Sequence, residues 1–199
     1  ISDGLKGTVK YVFENLRKYG FYQTHTFIWS LNELEFQPLI YNDDTEVKFE
    51  KVEGLSNWLS LPFNRFKYLK LDEWHKNGAS LIVVRIKDIP EAYVWLQRNT
   101  YKIDGIETIN NPSKQVFIGP VFVSDNCRGK GVSKLIMSEG IRAAFSEGVR
   151  EVVGSTSYKN IPSIKMVARL GFKPVCFLTN NYVLGKLKSV DEIFSIKRP

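Results

Sequence analysis

The chain has 199 residues, 43% hydrophobic and 25% charged, with two cysteines, Cys127 and Cys176. A chain of this size buries roughly 70% of its unfolded surface, so a core forms without disulfide staples; wholesale disorder, a collagen-like repeat and a disulfide mini-protein are excluded. Lys and Arg number 28 against 21 Asp and Glu, a net charge of +7, which favours anionic partners such as nucleotides and phosphorylated cofactors.

Residues 5–19 repeat apolar side chains at helical spacing (Leu5, Val9, Val12, Phe13, Leu16) with lysines and arginines between them. This predicts an amphipathic helix packed on the domain, and its basic face allows a peripheral membrane contact. Residues 20–46 read as aromatic, polar and irregular, with one short strand over 27–31. Strand alternation begins at 46–53. A helical turn over 56–61 ends at Pro62, and a helix is expected over 64–76 with Gly78 as its stop. The β-branched run 80–86 and the apolar run 92–97 flank Asp88 and Pro90 and predict a hairpin. Residues 99–113 form a polar excursion.

The second half alternates more regularly. Residues 115–124 (QVFIGPVFVS) make the strongest strand, and Gly119–Pro120 inside it demands a bulge or a splay, because proline donates nothing to a ladder. A loop over 125–130 leads to a helix over 131–147 stopped by Gly148. A strand over 149–156, a helix from Asn160 to Gly171, and a hairpin of 172–178 with 182–187 around Asn180–Asn181 close the chain. Strand–helix–strand order implies an α/β sheet. The chain divides into an N-terminal helix with an irregular extension, 1–45, and a domain over 46–199.

Two free cysteines without metal spacing fit a reduced, cytoplasmic protein. The longest stretch free of charge, residues 19–32, is shorter than the roughly 20 residues a spanning helix needs. The chain opens at Ile1, which leaves a segment upstream open. Aromatic side chains do not interleave with Lys and Arg as a stacking groove requires, so nucleic acid is not favoured. Composition is compatible with an oligomer.

The chemistry concentrates in Arg128-Gly129-Lys130-Gly131-Val132-Ser133, between a strand and a helix. Glycines there let the backbone approach an anion, the first-turn N–H groups point outward, and two cations add charge. The loop is neither a GxxxxGK[ST] phosphate loop nor a GxGxxG dinucleotide fingerprint. A second segment, Asn160 to Phe172, lies about 30 residues downstream.

Together the two resemble the Gcn5-related N-acetyltransferase (GNAT) superfamily. Arg128, Gly131 and Ser133 occupy its [R/Q]xxGx[G/A] cofactor motif. Asn160, Ser163, Met166, Gly171 and Phe172 match its NxxAxxLYxxxGF motif. The resemblance implies a mixed, mostly antiparallel sheet flanked by helices and splayed at the central strand, with acetyl-CoA as co-substrate and a small-molecule amine as acceptor. It implies that Phe122, Val123, Arg128, Gly129, Lys130, Gly131, Val132, Ser133, Asn160 and Ser163 bind the cofactor, with a backbone N–H of Phe122 or Val123 polarising the thioester. Many family members carry at the position of Val167 a tyrosine that protonates the departing thiolate; here Tyr158, Ser163 or water is the candidate donor. Asp125 is the first candidate base for the amine, with Glu107 and Glu50 behind it. The chain is also similar to members associated with surface polysaccharides, which makes an amino sugar or sugar nucleotide the first expected acceptor. A protein or peptide amine, or a non-catalytic CoA-binding module, are the alternatives.

Overall fold

The runs flanking Asp88 form the expected hairpin. Strand β3 (Ser80–Ile86) pairs with β4 (Ile89–Gln97), and Lys87 and Asp88 between them have φ of 53° and 63°, the positive values a tight two-residue hairpin turn needs. Side chains alternate across this pair. Leu81, Val83, Tyr93 and Trp95 are buried on one face, and Ile82, Val84, Val94 and Leu96 on the other. A sheet buried on both faces needs a layer on each. Helices α1 (Leu55–Ser60) and α2 (Leu71–Lys76) cover the first face, and α3 (Val132–Ser146) and α4 (Ile161–Arg169) the second.

The computed structural model describes residues 21–39, 47–64, 66, 69–103, 106–109, 114–183 and 186–195. The remaining strands are β1 (Phe21–Asn32), β2 (Val47–Val52), β5 (Thr100–Ile103), β6 (Ile106–Ile109), β7 (Gln115–Val123), β8 (Glu151–Ser157), β9 (Lys173–Val183) and β10 (Lys186–Ser195). Eight of the ten strands make one sheet in the order β10-β9-β1-β8-β7-β4-β3-β2, and β5 and β6 pair separately. Every pairing in the large sheet is antiparallel except β7 with β8, which α3 connects. The expected architecture, a mostly antiparallel sheet flanked by helices, is the one observed.

The amphipathic helix expected over 5–19, with its membrane contact, lies outside the described residues. Several other expectations are corrected. The segment read as irregular contains β1, a 12-residue strand between β8 and β9. Its polar side chains find partners far away in sequence: Gln23 Nε2 donates to Asn181 Oδ1 at 2.7 Å, and His25 Nδ1 lies 3.0 Å from Thr179 Oγ1. The same pairing overrules the turn expected at Asn180–Asn181. Both residues are buried inside β9, opposite Thr24 and Gln23. The helix expected over 64–76 is helical only as α2, because Phe63 and Phe66 fold into a turn that packs their rings against Tyr93, at 4.8 and 5.0 Å between centroids. The polar excursion holds the β5–β6 pair.

Helix α3 sits close against the sheet because Gly140 faces it. A β-carbon at Gly140 would stand 2.8 Å from Val94 Cγ1 and 3.1 Å from Ile118 Cδ1. Overpacking of a rigid core costs about 1–3 kcal/mol. Gly140→Val is therefore expected to lower unfolding stability by about that amount in a denaturant titration.

Candidate active site

Strands β7 and β8 pair only from Gln115–Glu151 to Phe117–Val153 and then part. The sequence causes this locally. Gly119 has φ of +136°, Pro120 follows it, and the β4–β7 register shifts between Val94 and Leu96, so two residues of β7 oppose Trp95 alone. Gln97, buried in β4, donates from Nε2 to the Gly119 carbonyl at 2.6 Å and fixes the bulge. The splay predicted from Gly119–Pro120 is present.

A cavity of about 430 Å³ fills the gap and passes through the sheet. Met137, Met166 and Val167 line it on the α3/α4 face, and Leu69, Glu73 and Trp74 on the α2 face. Two molecules can therefore reach one point from opposite sides. Proximity of this kind is the main resource for a group transfer between bound reactants.

The backbone of β7 supplies donors at the gap. Ser124 N–H donates to the Glu91 carbonyl at 2.8 Å, so alternation turns Ser124 and Phe122 toward β4 and leaves the N–H groups of Val121 and Val123 facing the splay. Of the two expected backbone donors, Val123 has this orientation. Phe122 is turned the other way, and its ring stacks on Tyr93 at 5.3 Å on the α2 face. Val121, which the sequence reading passed over, lines the cavity.

The glycine loop opens α3. Gly129 and Gly131 have φ of 74° and 81°, and Gly131 is the N-cap with no side-chain cap. A β-carbon at either would meet nothing within 4 Å, so conformation rather than space selects glycine there. Among the described residues, no protein acceptor takes the N–H groups of Gly129, Gly131, Val132 or Ser133. Val132 anchors the helix with its side chain in the core, while Arg128 and Lys130 are exposed. Unpaired N–H groups, a helix N-terminus and two cations are the donor set a diphosphate requires.

Asn160 caps α4, its Oδ1 accepting the Ser163 N–H at 3.2 Å, and both residues line the cavity. Val167, one turn after Ser163, lines it too and is only 6% exposed. Two candidate catalytic side chains stand elsewhere. Tyr158 lies off the cavity lining, exposed, with its ring edge-on to His25 at 5.0 Å. Asp125 sits in an exposed 3₁₀ turn and pairs with Arg128 at 2.6 Å. Glu50 pairs with Arg85 at 2.7 Å beside α1, and nothing is described of the Glu107 side chain. Among the described residues, the carboxylate that lines the cavity is Glu73, 3.4 Å from Lys70. Glu73 falls in a predicted helix but carries no motif, and only the packing of α2 over the splay brings it to the site. Among the described residues no group of three or more His, Cys, Asp or Glu is placed to hold a metal ion, and no helix is long and apolar enough to cross a membrane.

The family model for the acetyltransferase (GNAT) family matches residues 41–172. The chain belongs to the GNAT acetyltransferase family. The co-substrate of that family is acetyl-CoA. Among solved structures, a GCN5-related N-acetyltransferase from Kribbella flavida superposes with a TM-score of 0.56 at 12% identity over 78% of this chain and 56% of that one. A GCN5-related glucosamine N-acetyltransferase region of a fungal multi-domain protein gives 0.59 at 13% identity, over 88% of this chain and 23% of that one. A Bacillus subtilis (strain 168) protein, YwnH, provisionally named a phosphinothricin acetyltransferase, is 33% identical over 52 residues, 26% of this chain and 32% of its own length. The matched stretch thus spans about a third of that curated relative.

Proposed function

We propose that the chain is an acetyl-CoA-dependent N-acetyltransferase acting on a small amine, with an amino sugar or sugar nucleotide as its first acceptor class. The observation that carries this reading is the cavity that crosses the sheet at the β7/β8 splay, lined by Met137 of α3 on one face and by the Glu73 carboxylate of α2 on the other, with the glycine loop opening that same α3. The N–H groups of Gly129 to Ser133, with Arg128 and Lys130, hold the diphosphate. Asn160 and Ser163 flank the pantetheine arm, and the Val121 and Val123 N–H groups receive the thioester carbonyl, a contribution of the oxyanion type. The acceptor enters past Glu73, Trp74 and Asn77. An indole face, an amide and a carboxylate suit a polyhydroxylated amine.

Glu73 has a physically limited role. An aliphatic ammonium titrates near pKa 10.4 and a carboxylate near about 4.3, so a carboxylate does not strip the ammonium at equilibrium. It anchors the cation; the nitrogen attacks only after one proton has gone to solvent and left it a lone pair, and Glu73 takes the second proton once the N–C bond has formed and the nitrogen has lost its basicity. The Lys70–Glu73 pair favours one second reading, a zwitterionic amino acid, whose carboxylate and ammonium would each find an opposite charge.

Release of free thiol from acetyl-CoA across a panel of glucosamine, amino-sugar nucleotides, amino acids and lysine peptides tests the function. Turnover with at least one small amine is expected. Turnover with peptides alone would assign a protein acetyltransferase instead. Binding of CoA should also raise Tm: at 100 times its Kd, linkage gives about 2.7 kcal/mol, or about 5–10 °C for a chain of this size. A Tm shift without turnover of any amine would assign the non-catalytic CoA-binding role.

A further inference from the structure

Aminolysis of a thioester expels a thiolate, and donors aimed at developing charge are among the largest contributions a site makes. Val167, at the cavity wall, has no hydrogen to give. On the same face stand Trp29 and Thr156, both lining the cavity. The β1–β8 register sets Trp29 opposite Gly154 and Thr156 opposite Phe27. Trp29 Nε1–H donates to Thr156 Oγ1 at 2.7 Å, and Trp29 is 6% exposed. A hydroxyl has one proton and two lone pairs. With a lone pair committed to the indole, the Thr156 proton is free to turn to the cavity, and the incoming bond strengthens it as a donor.

We propose that Thr156, set by Trp29, is the hydrogen-bond donor that holds the departing CoA sulfur. The proposal rests on the acetyl-transfer reading of this cavity. In the step, the amine nitrogen bonds to the acyl carbon, the C–S bond breaks, and its electron pair goes to sulfur. The nitrogen, which attacks as the free amine, gives one proton to Glu73. The sulfur accepts a hydrogen bond from Thr156 and takes a solvent proton as it leaves. Thr156 keeps its own proton, because an alkyl hydroxyl is far less acidic than a thiol of pKa about 8.5. Ser163 is the rival hydroxyl on this face, one turn before Val167, without an indole to orient it. Ser155 and Ser157 alternate to the opposite face of β8.

The test needs no acceptor. The thiolate absorbance of CoA bound to the protein is titrated in the ultraviolet for the parent, Thr156→Val, Thr156→Ser, Ser163→Ala, and Thr156→Val combined with Val167→Tyr. Among the described residues the titratable side chains lining the cavity are Lys70, Glu73 and Tyr101; all five proteins keep them, and the absorbance of the tyrosine added at 167 is subtracted with the same variant titrated without CoA. The bound thiol should ionise about tenfold less readily in Thr156→Val, a shift of about one pKa unit. Thr156→Ser and Ser163→Ala should match the parent, and the added tyrosine should restore ionisation. Unchanged ionisation in Thr156→Val with CoA still bound overturns the proposal alone. A change in Ser163→Ala instead reassigns the donor and also overturns it. If CoA does not bind the parent, the acetyl-transfer reading falls and takes the proposal with it.

Discussion

Gly131→Asp should cut CoA affinity by more than about 100-fold, a free-energy loss near 2.7 kcal/mol, while the protein stays folded. Gly131 has φ of 81° and open space around its α-carbon. A left-handed conformation costs an L-residue about 1–2 kcal/mol, and Asp is among those that adopt it most readily. The new carboxylate would stand among the N–H groups of Val132 and Ser133, where the diphosphate is to bind. Two like charges about 4 Å apart repel by about 1 kcal/mol in water and about 4 near a protein surface. Gly131→Asn has the same shape without the charge and should bind much better than the aspartate. Calorimetric titration with CoA measures both. Equal affinity in parent and Gly131→Asp would make the loop a plain turn.

Glu73→Gln acts from the opposite face. It should lower kcat about 100-fold, the low end of what a positioned proton acceptor contributes, and leave the acetyl-CoA KM and the CoA-induced Tm shift unchanged. Stability should hold, because the Lys70–Glu73 pair is solvent-exposed and such pairs contribute little. Steady-state kinetics with the best amine of the panel decides it. An unaltered kcat would remove Glu73 from the site.

These two residues also mark what the sequence made legible. Gly131 was readable because its reason is local: a glycine at a helix start lets the backbone approach an anion, and neighbouring cations announce one. The Asn160 cap and the splay at Gly119–Pro120 were readable for the same reason. Glu73 was not, since its role exists only when α2 lies over a gap between strands more than 40 residues later. Strand β1 was hidden too. Gln23, Thr24, His25 and Thr26 look like loop, and only their pairing with β9, more than 150 residues away, makes them a strand with partners. Trp29 and Thr156, 127 residues apart, meet through that same insertion.

Central to the account is acyl transfer inside the β7/β8 splay, with cofactor and acceptor arriving from opposite faces. A crystal structure of the protein with CoA tests it most directly. The diphosphate is expected on the N–H groups of Gly129 to Ser133, and the sulfur in the cavity between Val121 and Val167, within hydrogen-bond reach of Thr156 Oγ1. CoA bound on the α2 face, or with its sulfur outside the splay, would contradict it.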